Sequence, residues 1–418
     1  MRVSVDEHVA GVGLQELCRR RPPQFVAVAH VDRHAVDVDD DLRRKPPVQR
    51  VDVPVYRLHR SDGAERLEHR ATADVSGVKD LRHTCERRDQ AVANEPMRVR
   101  HKADYDGLSI MLTCDAHCHF FSTRFLELLT SGVSGWPDED RAAAVSHRLG
   151  WQEPGTAEAL ADRWAAELDR HTVSRAALIA SIPGDEESVA VAVRRHPSRF
   201  VGFFMFNPAA GEIATRLARA LGPLELRGIC LFPAMHGFRL DDESVKDAFA
   251  AAADHGAAVF VHCGVLTVGV RKKLGLASPF DLRLGDPLAL AAVASRFPSV
   301  PVIVPHFGAG LLRETLMAAE QCGNMYLDSS SSNGWMKYYP GLTLDAVFRQ
   351  ALNIVGADRI LFGTDSSFFP RGWQAAIHAA QHDALLGLGV SEPDREKIFG
   401  ANFNRLFPMP DSAAGARE

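Results

Sequence analysis

From residue 111 onward the chain alternates eight short apolar segments of strand type with stretches that read as helix. The strand-like segments are Leu112–Phe121, Arg175–Ser181, Phe200–Asn207, Gly228–Pro233, Ala257–Cys263, Val300–His306, Asn324–Asp328 and Arg359–Thr364. Helix patterns rich in Ala and Leu lie between them, as in Thr156–His171, Glu186–Arg195, Glu243–His255, Pro287–Phe297 and Leu311–Gln321. Parallel strands need crossovers of about a dozen residues or more, usually helical and almost always right-handed. Eight such units close a barrel of about 250 residues, and a chain of 418 residues has room for one barrel and an appendage. An open doubly wound sheet would carry a Gly-rich phosphate loop after its first strand, where this chain runs into Phe120-Phe121-Ser122. The expected fold class is therefore α/β, a (β/α)8 TIM barrel.

Upstream of that alternation the character changes. Residues 1–110 hold Phe25 as their only Phe, Ile110 as their only Ile and no Trp. Their charges run together, as in Asp37 to Lys45, without a sustained apolar period. Such a stretch cannot bury enough surface to offset chain entropy, so it is expected to be a disordered arm or the product of a misplaced start codon, with the natural start near Met111. The expected domains are 1–110 as that extension, 111–408 as the barrel and 409–418 as a disordered tail.

A formal net charge of −5 with no basic stripe argues against nucleic acid as a partner. No run approaches the ~18 apolar residues of a membrane span, and the N-terminus lacks the order of a signal peptide, so the expected location is the cytoplasm. Seven cysteines spread over the chain do not form a disulfide framework; Cys114, Cys230 and Cys263 read as buried thiols. The expected partner is a small-molecule substrate, with a homodimer as an open expectation.

The chemistry concentrates where these strands end. In Asp115-Ala-His117-Cys-His119, alternation on a strand puts Asp115, His117 and His119 on one face and the cysteines on the other, which makes the histidines a chelating pair. His262, His306 and Asp365 each close another apolar run, on the fifth, sixth and eighth strands. In a barrel these carboxyl ends form one face, with the eighth strand beside the first. Imidazole and carboxylate suit zinc first, and also manganese, iron or cobalt. Three histidines and Asp365 would hold one divalent ion, leaving His306 free. Asp365 or His306 would accept the proton of a water acidified by that ion.

The His-x-His on the first strand, His262, His306 and Asp365 resemble the amidohydrolase superfamily over roughly residues 111–407. Gly228-Ile-Cys-Leu-Phe-Pro-Ala234, His236-Gly-Phe-Arg-Leu-Asp-Asp242 and Gly363-Thr-Asp365 are most similar to its amidohydrolase-related branch. That branch also holds decarboxylases of the aminocarboxymuconate-semialdehyde type. The resemblance implies that His117, His119, His262 and Asp365 are the metal ligands and His306 the acid–base partner. Where many members carry a strand-four lysine bridging two metals, this chain has Cys230 and no lysine between Leu226 and Phe238, which points to a mononuclear site.

The expected activity is hydrolysis of a carbon–nitrogen or carbon–oxygen bond in a small organic substrate. A non-oxidative decarboxylase of a small unsaturated or aromatic acid is the alternative, and a barrel that binds metal or ligand without turnover is the third. Asp115 is expected to orient a ligating histidine or to make a structural hydrogen bond. Arg239, Arg371 and Trp335, in the loops after strands four, eight and seven, are candidates for substrate contact. Ser329-Ser-Ser-Ser332 reads as loop, and the helical segment 395–407 as packing.

Overall fold

The computed structural model describes residues 112–330 and 333–409, so the expectations for the arm, for Met111 and for most of the tail lie outside the described residues. The eight strands are β1 (Thr113–Phe120), β2 (Val173–Ala180), β3 (Phe200–Phe206), β4 (Gly228–Leu231), β5 (Ala258–Val261), β6 (Val302–Val304), β7 (Met325–Asp328) and β8 (Ile360–Leu361). They are parallel and lie in sequence order. The barrel closes where Ala116 donates to the Phe362 carbonyl at 2.8 Å, His119 to the Ser366 carbonyl at 2.7 Å and Asp365 to the His117 carbonyl at 2.9 Å.

Helices cover the outside, and their ends follow local chemistry. The helix Ala157–Arg170 starts where the Thr156 side chain accepts from the Ala159 N–H, which satisfies one of the orphan donors of its first turn. Glu186–Arg195 carries Glu186 and Glu187 in its first turn and Arg194 and Arg195 in its last, the charge order that complements the helix dipole.

Alternation along the strands sorts the core into two layers. Ile179, Phe203, Cys230, Phe260, Ile303 and Leu361 fill the barrel itself. Leu178, Phe204, Ile229, Val259, Val304 and Ile360 face the helices. Interior side chains of this kind make the barrel a packed plug that supports the site above it. Phe260 belongs to the plug, is fully buried, and sits edge-on beneath His117 at 5.1 Å between ring centroids. Phe260→Ala is expected to cost about 3–5 kcal/mol, read by denaturant unfolding, since the surrounding strands cannot collapse into the void.

The C-terminal helical segment around Gly400 closes the opposite end as Glu392–Glu396, a π turn at Lys397–Ala401 and Asn402–Leu406. The described cysteines, Cys114, Cys118, Cys230, Cys263 and Cys322, are all buried and free. Among the described residues no helix is long and apolar enough to cross a membrane.

Candidate metal centre

One irregularity in β1 builds the site. The β1–β2 register shifts between Asp115 and Cys118. Cys114 and Ala116 pack inside the barrel, whereas Cys118 and Phe120 pack outside it. Bulges re-aim side chains in this way beside functional sites. Here His117 and His119 turn toward the cavity, and Asp115 faces away from them, contrary to strict alternation. Asp115 therefore orients no imidazole. Its buried carboxylate accepts from the Thr364 N–H at 3.1 Å, the Thr364 hydroxyl at 2.5 Å, the Trp373 indole N–H at 2.7 Å and the His117 main-chain N–H at 2.9 Å. It ties the loop after β8 to β1.

The candidate ligand atoms converge. His117 Nε2 lies 3.3 Å from His119 Nε2, and Asp365 Oδ1 lies 3.0 Å from His119 Nε2 and 3.8 Å from His117 Nε2. Donors held about 2.0–2.2 Å from one tetrahedral ion are separated by roughly 3.3 Å, so these three atoms suit a single divalent cation.

Their partners set the tautomers. His117 donates Nδ1–H to Asp328 Oδ2 at 2.7 Å. Ser181 gives its hydroxyl proton to the Ile179 carbonyl at 2.9 Å, so its oxygen accepts from His119 Nδ1–H at 2.7 Å. Both rings thus present the lone pair of Nε2, as metal-bound histidines with an outer hydrogen-bond partner do. Burial would raise the Asp365 carboxyl, but the facing imidazoles of His119 and His117 outweigh it and hold the group well below the usual carboxylate range. Burial keeps His119 and His306 below the usual imidazole value. For His117 burial acts downward as well, and the Asp328 carboxylate overrides it, raising the ring.

His262 and His306 line the same cavity, with ring centroids 5.3 Å apart and His306 5.0 Å from His117. His262 stands outside the close triad. Its buried Nδ1 has no hydrogen-bond partner among the described residues, a polar atom whose burial an ion would compensate. His306 Nδ1 meets the Ser330 carbonyl at 3.2 Å and the Ser330 hydroxyl at 2.9 Å. A carbonyl only accepts, so the proton sits on Nδ1 and the Nε2 lone pair remains for the cavity.

Backbone strain accompanies function here. His306 and Asp365 sit at φ of 56° and 60°, left-handed conformations that cost of order 1–3 kcal/mol unless the surroundings impose them. Gly363 is required by crowding, because a Cβ there would meet Asp328 Oδ1 at 2.5 Å and His117 Cβ at 3.0 Å.

Other expected contacts lie elsewhere or differ in kind. Arg239 is 70% exposed and forks onto Asp241 at 2.8 and 3.0 Å, so its guanidinium is spent on the neighbouring carboxylate rather than on the cavity. Trp335 is buried, turned by the 3-10 segment Asn333–Tyr338 into the helix-facing core rather than the cavity wall. Arg371 does line the cavity. Asp328 and Ser330 were legible only as a strand end and a loop. Asp328 shares the inward phase of β7 with Tyr326, which packs against the barrel interior, and that parity is the signal that locates it. Asp328→Asn is expected to lower metal affinity about 10–100-fold, measured by chelator competition, since the amide no longer takes the His117 proton as an anion does.

His117, His119 and Asp365, a group with the spacing to hold one metal ion, converge at the carboxyl ends of a (β/α)8 barrel. The chain belongs to the amidohydrolase family, whose model matches residues 114–409. No curated protein matches the sequence. Among solved structures, a 5-carboxyvanillate decarboxylase from Sphingomonas paucimobilis is 14% identical with a TM-score of 0.47, over 72% of this chain and 100% of its own. A 5-carboxyvanillate decarboxylase from Novosphingobium aromaticivorans, complexed with manganese and 4-hydroxy-3-methoxy-5-nitrobenzoic acid, is 17% identical with a TM-score of 0.49, over 71% and 96%. An amidohydrolase from Burkholderia multivorans with bound zinc is 15% identical with a TM-score of 0.45, over 72% and 100%.

Proposed function

We propose that this chain is a metal-dependent hydrolase that cleaves a carbon–nitrogen or carbon–oxygen bond of a small organic substrate. The observation that carries the reading is the contact of His306 Nδ1 with the Ser330 carbonyl at 3.2 Å, which assigns the proton to Nδ1 and leaves Nε2 as the unprotonated nitrogen beside the triad. His117, His119, His262 and Asp365 would hold the ion, with zinc expected first and manganese, iron or cobalt as alternatives. When bound, a divalent ion supplies Lewis acidity, polarising a carbonyl oxygen and acidifying water from a pKa of 15.7 toward about 7.

The chain's own residues do the rest. As a water oxygen bonds the carbonyl carbon, His306 Nε2 takes its proton. The carbon–nitrogen or carbon–oxygen bond breaks with its electron pair on the leaving atom, and the His306 imidazolium returns the proton there. The Ser330 carbonyl stabilises the imidazolium by accepting from Nδ1–H throughout.

Decarboxylation is the second reading, favoured by the cations at the cavity mouth, since its substrate must be an acid. It needs a proton delivered to the carbon that loses carbon dioxide, and His306 carries its proton on the nitrogen turned to Ser330. The test is a panel of amides, esters, lactones and unsaturated acids. Cleavage abolished by chelator and restored by zinc supports hydrolysis; carbon dioxide release without hydrolysis overturns it.

A further inference from the structure

Two cations from different loops converge on one ring at the mouth of the cavity. Lys273 ends the helical turn Gly269–Lys273 after β5, and Arg371 follows β8. Lys273 Nζ lies 5.6 Å, and the Arg371 guanidinium carbon 4.6 Å, from the Phe368 ring centroid. Phe368 is held in turn by a ladder of near-parallel rings. Trp151 stacks on it at 4.3 Å, Phe121 follows at 5.5 Å from Trp151, and Phe125 at 4.2 Å from Phe121. All four rings and both cations border the same cavity of about 690 Å³ as the metal triad.

Neither cation is spent on a carboxylate. Among the described residues Lys273 makes no ion pair, and Arg371 donates to the Asp365 main-chain oxygen at 3.1 Å and the Ser367 hydroxyl at 2.6 Å. Arg271 beside them is turned onto the Ala277 carbonyl and the Ser278 hydroxyl. Among the described residues Asp365 is the one acid lining the cavity, and it belongs to the triad. Against a formal net charge of −5 for the chain, the mouth of this cavity is locally cationic, and low-dielectric walls focus such a field on an entering anion. Stacking on Phe368 restrains both side chains, which lowers the entropy lost when they grip a ligand.

We propose that Lys273 and Arg371 form an anion subsite for a carboxylate of the substrate that takes no part in the reaction. The substrate class is then a small organic acid: for hydrolysis an amide, ester or lactone that carries an unreacting carboxylate, for decarboxylation an acid with a second, unreacting carboxylate. The proposal rests on the reading of this cavity as the substrate site, and it holds for hydrolysis and decarboxylation alike.

The experiment titrates benzoate, with benzamide as its neutral counterpart, into chelator-stripped and zinc-loaded protein by calorimetry or ligand-observed NMR. The variants are Lys273→Met and Arg371→Met, checked for fold by circular dichroism. The expected result is benzoate binding by the metal-free protein, weakened about tenfold or more in each variant, with benzamide at least tenfold weaker than benzoate in the wild type. Benzoate binding that needs the metal, binding unchanged in Lys273→Met, or no binding in any form would overturn the subsite. Lys273→Met keeps the test decisive if Arg371→Met disturbs its loop. The same preparations assayed for chelator-sensitive hydrolysis report on the proposed activity separately, because the metal-free titration does not depend on turnover.

Discussion

Replacing His306 with Asn is expected to lower kcat about 10²–10⁴-fold while bound metal stays at the wild-type level. Asparagine can still donate to the Ser330 carbonyl, so the turn at positive φ keeps its anchor, but it offers no imidazole nitrogen to take a proton. The measurement pairs kcat on whichever substrate the panel identifies with metal content by inductively coupled plasma mass spectrometry. Metal lost together with activity would make His306 a ligand and would reverse its role with that of His262. A pH profile sharpens the result. Burial lowers the His306 pKa, so the base is available through the neutral range, and its acidic limb should vanish in the variant.

Replacing His119 with Ala should empty the site, with metal affinity falling by more than the roughly 100-fold that loss of an outer hydrogen-bond partner costs at most. His119 Nε2 is the nearer of the two imidazole partners of the Asp365 carboxylate, at 3.0 Å. Removing the ring deletes a ligand and leaves a half-buried carboxylate less compensated, so activity and metal should fall together. His262→Ala is expected to behave the same way, in contrast to His306→Asn. Metal titration followed by mass spectrometry checks both variants. Full metal occupancy in His119→Ala would remove the basis for the triad as the metal centre.

Barrel and site were legible to different degrees, for physical reasons. The strand-like runs fall on the observed strands because fully buried parallel strands read as continuous apolar segments, whatever packs against them. The helices Glu186–Arg195 and Glu243–His255 begin and end where their sequence patterns do, because their end charges and the left-handed Gly256 after the second are local signals. His117, His119, His262, His306 and Asp365 were legible because a parallel barrel forces the carboxyl ends of its strands onto one face, so residues far apart in the chain meet there.

Asp115 shows where that logic stops. Period-two alternation puts it with the histidines, and one register shift in β1 sends it to Trp373 and Thr364 instead. A bulge is a tertiary decision, set by how β1 meets β2 and β8, and no residue within Asp115–His119 announces it. The same holds for the network behind the candidate ligands. Ser330 and Ser181 have nothing in their own neighbourhoods to mark them and Asp328 has only its parity in β7, and each bears on the site only because folding brings it within about 3 Å of an imidazole nitrogen. Arg239 and Arg371 are equally suggestive as loop arginines, yet Asp241 captures one, while Phe368 and the Asp365 carbonyl hold the other at the cavity.

Local patterning was thus sufficient for the barrel, its strand order and the five polar positions, because burial periodicity and chain direction do not depend on what stands opposite. The tautomers, the outer partners and the cationic mouth came only with the assembled barrel, because hydrogen bonds and ion pairs are decided by the one neighbour that arrives within reach.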